Sequence, residues 1–343
     1  MPTEQRTVVC LPAGGDLEGT VRQALQQAGI LARISADTRL AIKPNFTYPW
    51  YKPGVTTSPE VLRALVRVLK DYTSHIAVVE TDGGYGAWQV ETSFQGHGLP
   101  ELHRQFGVQA INLCQEPSEL MVVRGVLRKA VLPLPVRLLY ETDLMLTVPV
   151  PKVHAMTRLS LALKNQWGVI PDIMRLRKHY LFDKAIVAIN QRLRPAVLAD
   201  GTWFLDRNGP MSGDPVRMDL IIAASDAGSF DRYVSELMGV DWRRVGHFRQ
   251  AVKAGIMPAS LEQINFNAPP AHFRTRTFRL RRTLRNYIAL TGFHSRTITW
   301  LGYESWFGRV VLHGILYAIV GRPVSPQPSG QTGDCDHSAE QRP

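Results

Sequence analysis

Between Lys43 and His179 the chain sets lysines, histidines and amides at spacings that could act on an anion. The densest stretch is Pro151-Lys152-Val153-His154-Ala155-Met156-Thr157-Arg158, which runs on to Lys164-Asn165-Gln166-Trp167-Gly168. Neutral imidazoles at His154 and His179 suit general-base work or metal ligation. Lys164 stands among Leu161, Ala162, Leu163 and Trp167. A desolvated lysine there could be a nucleophile, a covalent anchor or a stabiliser of charge. His154, Lys164 and His179 are the candidate catalytic residues. The bland alternatives are that Lys164 and Asn165 end a helix before Gly168, and that His179, beside Arg177 and Lys178, is a surface histidine.

Two other loops carry unusual residues. Lys43-Pro44-Asn45 and then Lys52-Pro53-Gly54-Val55-Thr56-Thr57-Ser58 lead into a helix. Lysine, hydroxyls and a helix start together make an anion-binding arrangement, although Ser58 could simply cap. Glu80-Thr81-Asp82-Gly83-Gly84-Tyr85-Gly86 follows an apolar run. Its glycines let backbone amides approach a ligand, and its acids could hold a hydroxyl or a metal. The glycine spacing is not a dinucleotide fingerprint. The candidate ligand- or cofactor-binding residues are Lys43, Asn45, Thr56, Thr57, Ser58, Asp82, Gly83, Gly84, Lys152 and Asn165. A glycine-rich, acidic stretch from Asp200 to Pro215 reads as a lid, a ligand-facing loop or a plain surface excursion.

The elements that must position these residues follow from the apolar pattern. Thr7–Leu11, Arg39–Pro44, His75–Thr81, Val108–Leu113 and Asp143–Val150 read as strands. Leu17–Ala28, Pro59–Tyr72 and Leu99–Phe106 have helical period, with Ser58 before Pro59 as a start and Gly29 and Gly107 as stops. Strand–helix alternation implies a mostly parallel sheet, and open sheets of this kind bind ligands beyond the carboxyl ends of their strands. Further on, Leu159–Trp167, Asp183–Arg192, Ser229–Met238 and Val245–Ala254 read as helices and Asp219–Ser225 as a buried strand. The expected fold is α/β, a mostly parallel sheet with flanking helices in two lobes, plus a basic helical C-terminal extension. The expected segments are a lobe over 1–150, a second lobe carrying the His/Lys site over 151–268, the extension over 269–321 and a disordered tail over 322–343.

Composition limits the function classes. A chain of 343 residues, 45% apolar and 20% charged, has an ordinary globular balance. Cys10, Cys114 and Cys335 match no disulfide or metal spacing, which argues for a reducing compartment and against a protein-held iron–sulfur cluster. The N-terminus lacks a basic region followed by an apolar core, so cytoplasmic residence is expected. No phosphate-binding P-loop, Gly-x-Ser-x-Gly elbow, His-Glu-x-x-His or paired-cysteine zinc motif occurs.

The net charge of +11 is concentrated late. From Ala271 onward ten arginines and no lysine face only four acids. Phe273 to Arg285 mixes arginine with apolar residues, and Trp300, Tyr303, Trp306 and Phe307 precede the apolar run Val310–Val320. That run is too short to span a bilayer, which takes about 20 residues. Residues 273–320 therefore suit an interface-lying segment drawn to anionic lipid at the inner face of the membrane. A helical appendage with a solvated basic face is the equal alternative. Nucleic acid ranks below both, because no recognition motif accompanies the arginines.

Lys43-Pro44-Asn45, Pro53-Gly54-Val55-Thr56-Thr57, Pro151-Lys152-Val153-His154, Lys164-Asn165-x-x-Gly168 and Gly209-Pro210-Met211-x-Gly213 occur in this order. Together they resemble the bacterial and archaeal family called domain of unknown function 362. Some members carry ferredoxin-like iron–sulfur modules, whose cysteines this chain lacks. The spacing of His154, Lys164 and His179 also looks like that of the N-terminal domain of nickel-pincer lactate racemases. That likeness implies a cofactor-tethering lysine at Lys164 and ligand or acid/base histidines; Leu161-Ala162-Leu163 stands where that family has small residues. The expected function is an enzyme acting on an anionic small molecule, with a metal or metal-containing cofactor as an option. A non-catalytic membrane-peripheral binding protein is the alternative.

Overall fold

A computed structural model describes residues 5–303, 305–312 and 314–315. The expected tail and the end of the apolar run at 316–320 lie outside them. The fold is α/β, with helices on both faces of a mostly parallel mixed sheet. Its strands are β1 (Thr7–Pro12), β2 (Leu40–Pro44), β3 (Ile76–Glu80), β4 (Gln109–Asn112), β7 (Leu144–Val148), β10 (Ala196–Gly209), β11 (Asp214–Ala224) and β12 (Asn265–Phe266). They lie in the order β12-β1-β11-β10-β7-β2-β3-β4, and only β11 runs against its neighbours β1 and β10. Two short strands, β8 (Lys152–His154) and β9 (Arg158–Ser160), join at the far end of β10. A separate hairpin is formed by β5 (Ser118–Arg124) and β6 (Lys129–Pro135).

Strict alternation divides the core in two. Along β2 and β7, Ala41 and Met145 face one apolar cluster while Leu40, Ile42, Leu144 and Leu146 face the other. Side chains two apart on a strand share a face, so a sheet buried on both sides needs apolar residues at nearly every position. The helices Leu17–Gln27, Pro59–Lys70 and Leu99–Phe106 cover one face. Phe182–Leu193, Ala227–Leu237 and Gly246–Lys253 cover the other, together with the inner side of the β5–β6 hairpin.

Several local expectations change in the fold. One sheet passes through both expected lobes: β1 pairs with β11, and β7 with β10, so the boundary at residue 150 falls between paired strands. The expected helix Leu159–Trp167 is instead the end of β9, a single turn at Ala162–Asn165 and a 3-10 turn at Gln166–Val169. Asp200–Pro215 is no lid: it forms most of β10, a tight turn and the start of β11. Its glycines serve close approach, since a Cβ on Gly209 would lie 2.2 Å from the Val153 carbonyl of β8. Pro149 and Pro151 lack N–H donors. The chain therefore leaves the register of β7 and re-pairs with β10 as β8, with Lys152 opposite Leu205 and His154 opposite Gly209.

The basic extension begins strapped to the body. Asn267 accepts from the Cys10 N–H at 2.9 Å and donates to its carbonyl at 2.8 Å. Phe278 is buried with its ring 5.6 Å from Phe204, and Arg282 donates to the Ala155 carbonyl at 2.7 Å. The helices Leu284–His294 and Arg296–Tyr303 follow. Among the described residues, no helix is long and apolar enough to cross a membrane. Phe278→Ala should cost about 3 kcal/mol of stability in urea unfolding, the usual range for a truncated buried aromatic. A loss within about 0.5 kcal/mol, as for a surface change, would mean that the strap does not belong to the cooperative core.

Candidate functional site

Lys43 is the penultimate residue of β2 and Glu80 ends β3, adjacent parallel strands, so both lie at the carboxyl edge of the sheet. The Lys43 ammonium donates to Glu80 at 2.6 Å and to the Pro44 carbonyl at 2.8 Å, almost wholly out of solvent. Burial lowers the Lys43 pKa while Glu80 opposes that shift. Glu80 also accepts from the Thr81 N–H at 3.0 Å, so the pair is held by backbone as well as by charge. Gly168 stands against the pair: a Cβ there would lie 3.0 Å from the Lys43 nitrogen. Asn165 fixes the neighbouring strand ends, donating to Thr147 at 2.8 Å and to the Lys43 and Pro44 carbonyls at 3.3 Å.

A pocket of about 150 Å³ opens above this pair. Lys43, Asn45, Asp82, Gly83, Gly84, Lys152, His154, Lys164 and Asn165 all line it, gathered from strand ends and loops far apart in sequence. Lys152 is buried and its ammonium donates to the Val55 carbonyl. Burial, and then the neighbouring Lys164, press its pKa well below the ordinary lysine value. The Lys164 amine donates to the Ser160 hydroxyl at 3.4 Å. Burial and then Arg175 pull its pKa down to about 8. Arg175 lines the pocket from the 3-10 segment Arg175–Leu181 and donates to the carbonyls of Ile170 and Asp82, each at 3.3 Å. Among the described residues, Lys152, Lys164 and Arg175 have no carboxylate in salt-bridge contact.

His154 is oriented by backbone. The tight turn between β8 and β9 brings the N–H groups of Met156 and Thr157 onto its Nδ1, at 3.1 and 3.4 Å. The turn closes through Arg158 with φ at 68°, a left-handed conformation costly for a side chain other than glycine. Burial, then Lys164 and Lys152, hold the His154 pKa well below the usual histidine value. The neutral ring with an accepting Nδ1 carries its proton on Nε2. Among the described residues Nε2 has no hydrogen-bond partner, and the residue lines the pocket. His154 thus presents a donor, whereas a base or a metal ligand needs a bare nitrogen.

The remaining expected residues sit elsewhere. His179 is not in the pocket lining: it packs against Trp167 and Phe182, with ring centres 5.5 and 5.4 Å away. Thr57 accepts from the Asn45 N–H at 2.9 Å and donates to the Val148 carbonyl at 2.8 Å, tying β2 to β7. Thr56 accepts from the Lys52 N–H at 2.9 Å. The start of helix Pro59–Lys70 already holds an anion, because the Ser58 N–H donates to the buried Asp200 carboxylate at 2.7 Å while the Ser58 hydroxyl caps Val61. These three positions are structural in their contacts.

Two residues escaped the sequence reading. Arg175 lies in the run Met174-Arg175-Leu176-Arg177-Lys178, where nothing separates one arginine from its solvated neighbours. Asp231 is fully buried, and its two oxygens accept from the N–H groups of Ala162 and Leu163 at 2.8 and 3.1 Å. It caps the single turn that carries Lys164. Its signal was available: Asp231 lies on the apolar stripe of its helix with Ala227, Phe230, Val234 and Leu237. Among the described residues, no three His, Cys, Asp or Glu side chains converge to hold a metal ion.

The fold and site are those of a mostly parallel mixed α/β sheet with a pocket at its carboxyl edge lined by lysines, an arginine, a histidine and acids. The chain belongs to the family described as domain of unknown function 362 (DUF362), whose family model matches residues 40–236. That span contains every pocket-lining residue. The chain is similar to the thylakoid-associated protein sll1697 of Synechocystis sp., with 24% identity over 130 residues, 36% of this chain and 40% of that protein. The match thus covers about two fifths of the relative's length. No solved structure matches the chain.

Removing one partner of the buried Lys43–Glu80 pair strands the other charge, which costs about 3–5 kcal/mol. Glu80→Ala should lose about that much in chemical unfolding, and Lys43→Met with Glu80→Leu should lose clearly less. Equal losses in the single and double variants would show that the pair is not coupled.

Proposed function

We propose that this protein is an enzyme acting on a small anionic molecule, bound over Lys152, Lys164, Arg175 and the Nε2–H of His154. One observation carries the reading: the side chains of Lys152, Lys164 and Arg175 converge on one pocket with no carboxylate in salt-bridge contact among the described residues, while Asp82 and Glu80 of the same lining are held by other partners. A buried charge without a partner is costly, and a bound carboxylate, phosphate or sulfonate group supplies what is missing. Arg175 and the His154 donor bind and orient the anion. Lys152, whose buried amine is pressed well below the ordinary lysine pKa, adds an N–H donor. Lys164, with a pKa about 8, divides between amine and ammonium near neutral pH. It is therefore the group suited to exchange a proton with the substrate or to attack it.

Lysines, an arginine and a protonated Nε2 are poor donors for a metal cation, so no metal is assigned to the pocket. A volume of about 150 Å³ also suits a small anion better than a bulky organometallic cofactor. The likeness to nickel-pincer lactate racemases therefore lends Lys164 no tethering role here.

A second reading, membrane-peripheral association at the inner face of the membrane, draws on different features. The extension exposes Trp300, Trp306 and Phe307, its arginines favour anionic lipid over a neutral surface, and the similar Synechocystis protein is named as thylakoid-associated. The two readings are compatible, with the pocket serving chemistry and the extension location. Nucleic acid finds no further support.

Sulfate, which does not titrate in this range, is the probe for the pocket. Bound sulfate stabilises the Lys164 ammonium, so binding near pH 9 should take up close to one proton in calorimetry across buffers of different ionisation heat. Near pH 6, well below the free-protein pKa, uptake should be small. Affinity should fall as pH rises through about 8. Binding without proton uptake at any pH would remove Lys164 from the site. His154→Gln places an N–H donor near the position of Nε2 and should keep affinity within a few-fold. His154→Ala should lose about tenfold or more, the worth of a hydrogen bond to a charged group. Equal loss in the two variants would rule out the donor role.

A further inference from the structure

The β5–β6 hairpin is apolar on both faces, and only one face is covered. Alternation sends Val123, Leu132 and Leu134 into the core. On the other face Leu120, Val122 and Val131 stand exposed, with Val122 directly opposite Val131 in the ladder. At the turn, Val126 and Leu127 are 95% and 93% exposed, and Arg124, Arg128 and Lys129 flank them. A half-solvated antiparallel pair ordinarily turns polar residues outward, and its turn favours glycine, asparagine or aspartate. Here both positions at the tip are large and apolar, inside a ring of positive charge.

The hairpin meets the extension through one short segment. The Tyr180 hydroxyl donates to the Lys129 carbonyl at 2.9 Å, and the Arg128 guanidinium lies over the Tyr180 ring at 5.8 Å. The helices Leu284–His294 and Arg296–Tyr303 pack on the same 3-10 segment, Arg175–Leu181. Its first residue, Arg175, lines the pocket. Two apolar, basic elements far apart in sequence, 118–135 and 284–303, thus meet on one segment that also borders the pocket.

We propose that the β5–β6 hairpin and the extension form a single docking face for an anionic bilayer, with Val126 and Leu127 entering the interface. The inference rests on the membrane reading of the extension and adds the hairpin as a second, independent point of insertion. Charge complementarity selects the occupant. Apolar tips within a basic ring place hydrocarbon below the headgroups and cations among the lipid phosphates. A narrow two-residue tip offers little of the broad, flat area that a stable protein interface needs. Docking in this orientation would put the pocket beside the membrane surface, where an anionic amphiphile could present its polar end to Lys164 and Arg175.

The test is vesicle co-sedimentation of the full chain and of V126D/L127D, with pure phosphatidylcholine and with phosphatidylcholine containing phosphatidylglycerol. Both side chains are exposed, so the variant should keep the wild-type Tm and circular dichroism. The expected result is binding by the wild type to the phosphatidylglycerol vesicles only, weakened by salt, and at least about tenfold weaker in the variant, the scale expected for two lost apolar insertions. Equal binding by wild type and variant would overturn the role of the hairpin and leave the extension as the anchor. No vesicle binding by the wild type would overturn both. A wild-type dimer that the variant converts to monomer, with vesicle binding unchanged, would assign the tip to a second copy of this chain.

Discussion

Lys152, Lys164 and Arg175 meet at one pocket with no carboxylate in salt-bridge contact among the described residues, and much of the surrounding architecture keeps them so. The nearby acids are engaged by other groups: Asp82, which also lines the pocket, accepts from the Val90 N–H at 2.9 Å. Glu80 is taken by Lys43 and two backbone N–H groups. Asp200 is taken by Ser58 and Thr202, and Asp231 by the turn that carries Lys164. Burial raises the pKa of Asp200, and that of Asp231 well above the ordinary value, while the hydrogen bonds each accepts oppose the shift. An unbalanced positive site is thereby built into a low-dielectric interior, where electrostatic attraction for a ligand is strongest.

The fold was largely legible because a sheet buried on both faces writes long apolar runs. β2, β3 and β7 were found within a residue or two for that reason, and helix Pro59–Lys70 because Ser58 and Pro59 mark its start so clearly. The site was legible to the extent that chemistry-bearing residues stood just after those strands. Lys43, Lys152, His154 and Lys164, singled out in this way, line one pocket. What the sequence hid was partnership. Thr57 and Ser58 read as ligand contacts because hydroxyls before a helix attract anions, and nothing local announces that Asp200, 142 residues away, already fills the place. His179 is near Lys164 in sequence, yet Trp167 stands against it. The β5–β6 hairpin went unread because its exposed face is apolar, which blurs the period-two signal of a half-solvated strand.

The position of His154 illustrates how backbone decides side-chain chemistry. From type and spacing alone, an imidazole serves equally as base, acid or ligand. Two N–H groups of the following turn settle which nitrogen accepts, and the cations beside it favour the neutral ring. The same economy appears at Lys164, where Asp231 fixes the turn, Ser160 receives the amine and Arg175 lowers the proton affinity. These supporting groups come from β9, helix Ala227–Leu237 and the 3-10 segment, so a change far from residues 154–164 can still detune the pocket.

The most direct measurement is the proton affinity of Lys164 itself. Heteronuclear NMR on protein labelled at lysine, with Lys164→Arg to assign the signal, would follow its side chain through the pH range with and without sulfate. A midpoint near 8 is expected in the free protein, rising when sulfate binds. A midpoint at the ordinary lysine value of about 10.4, unmoved by the anion, would contradict that expectation.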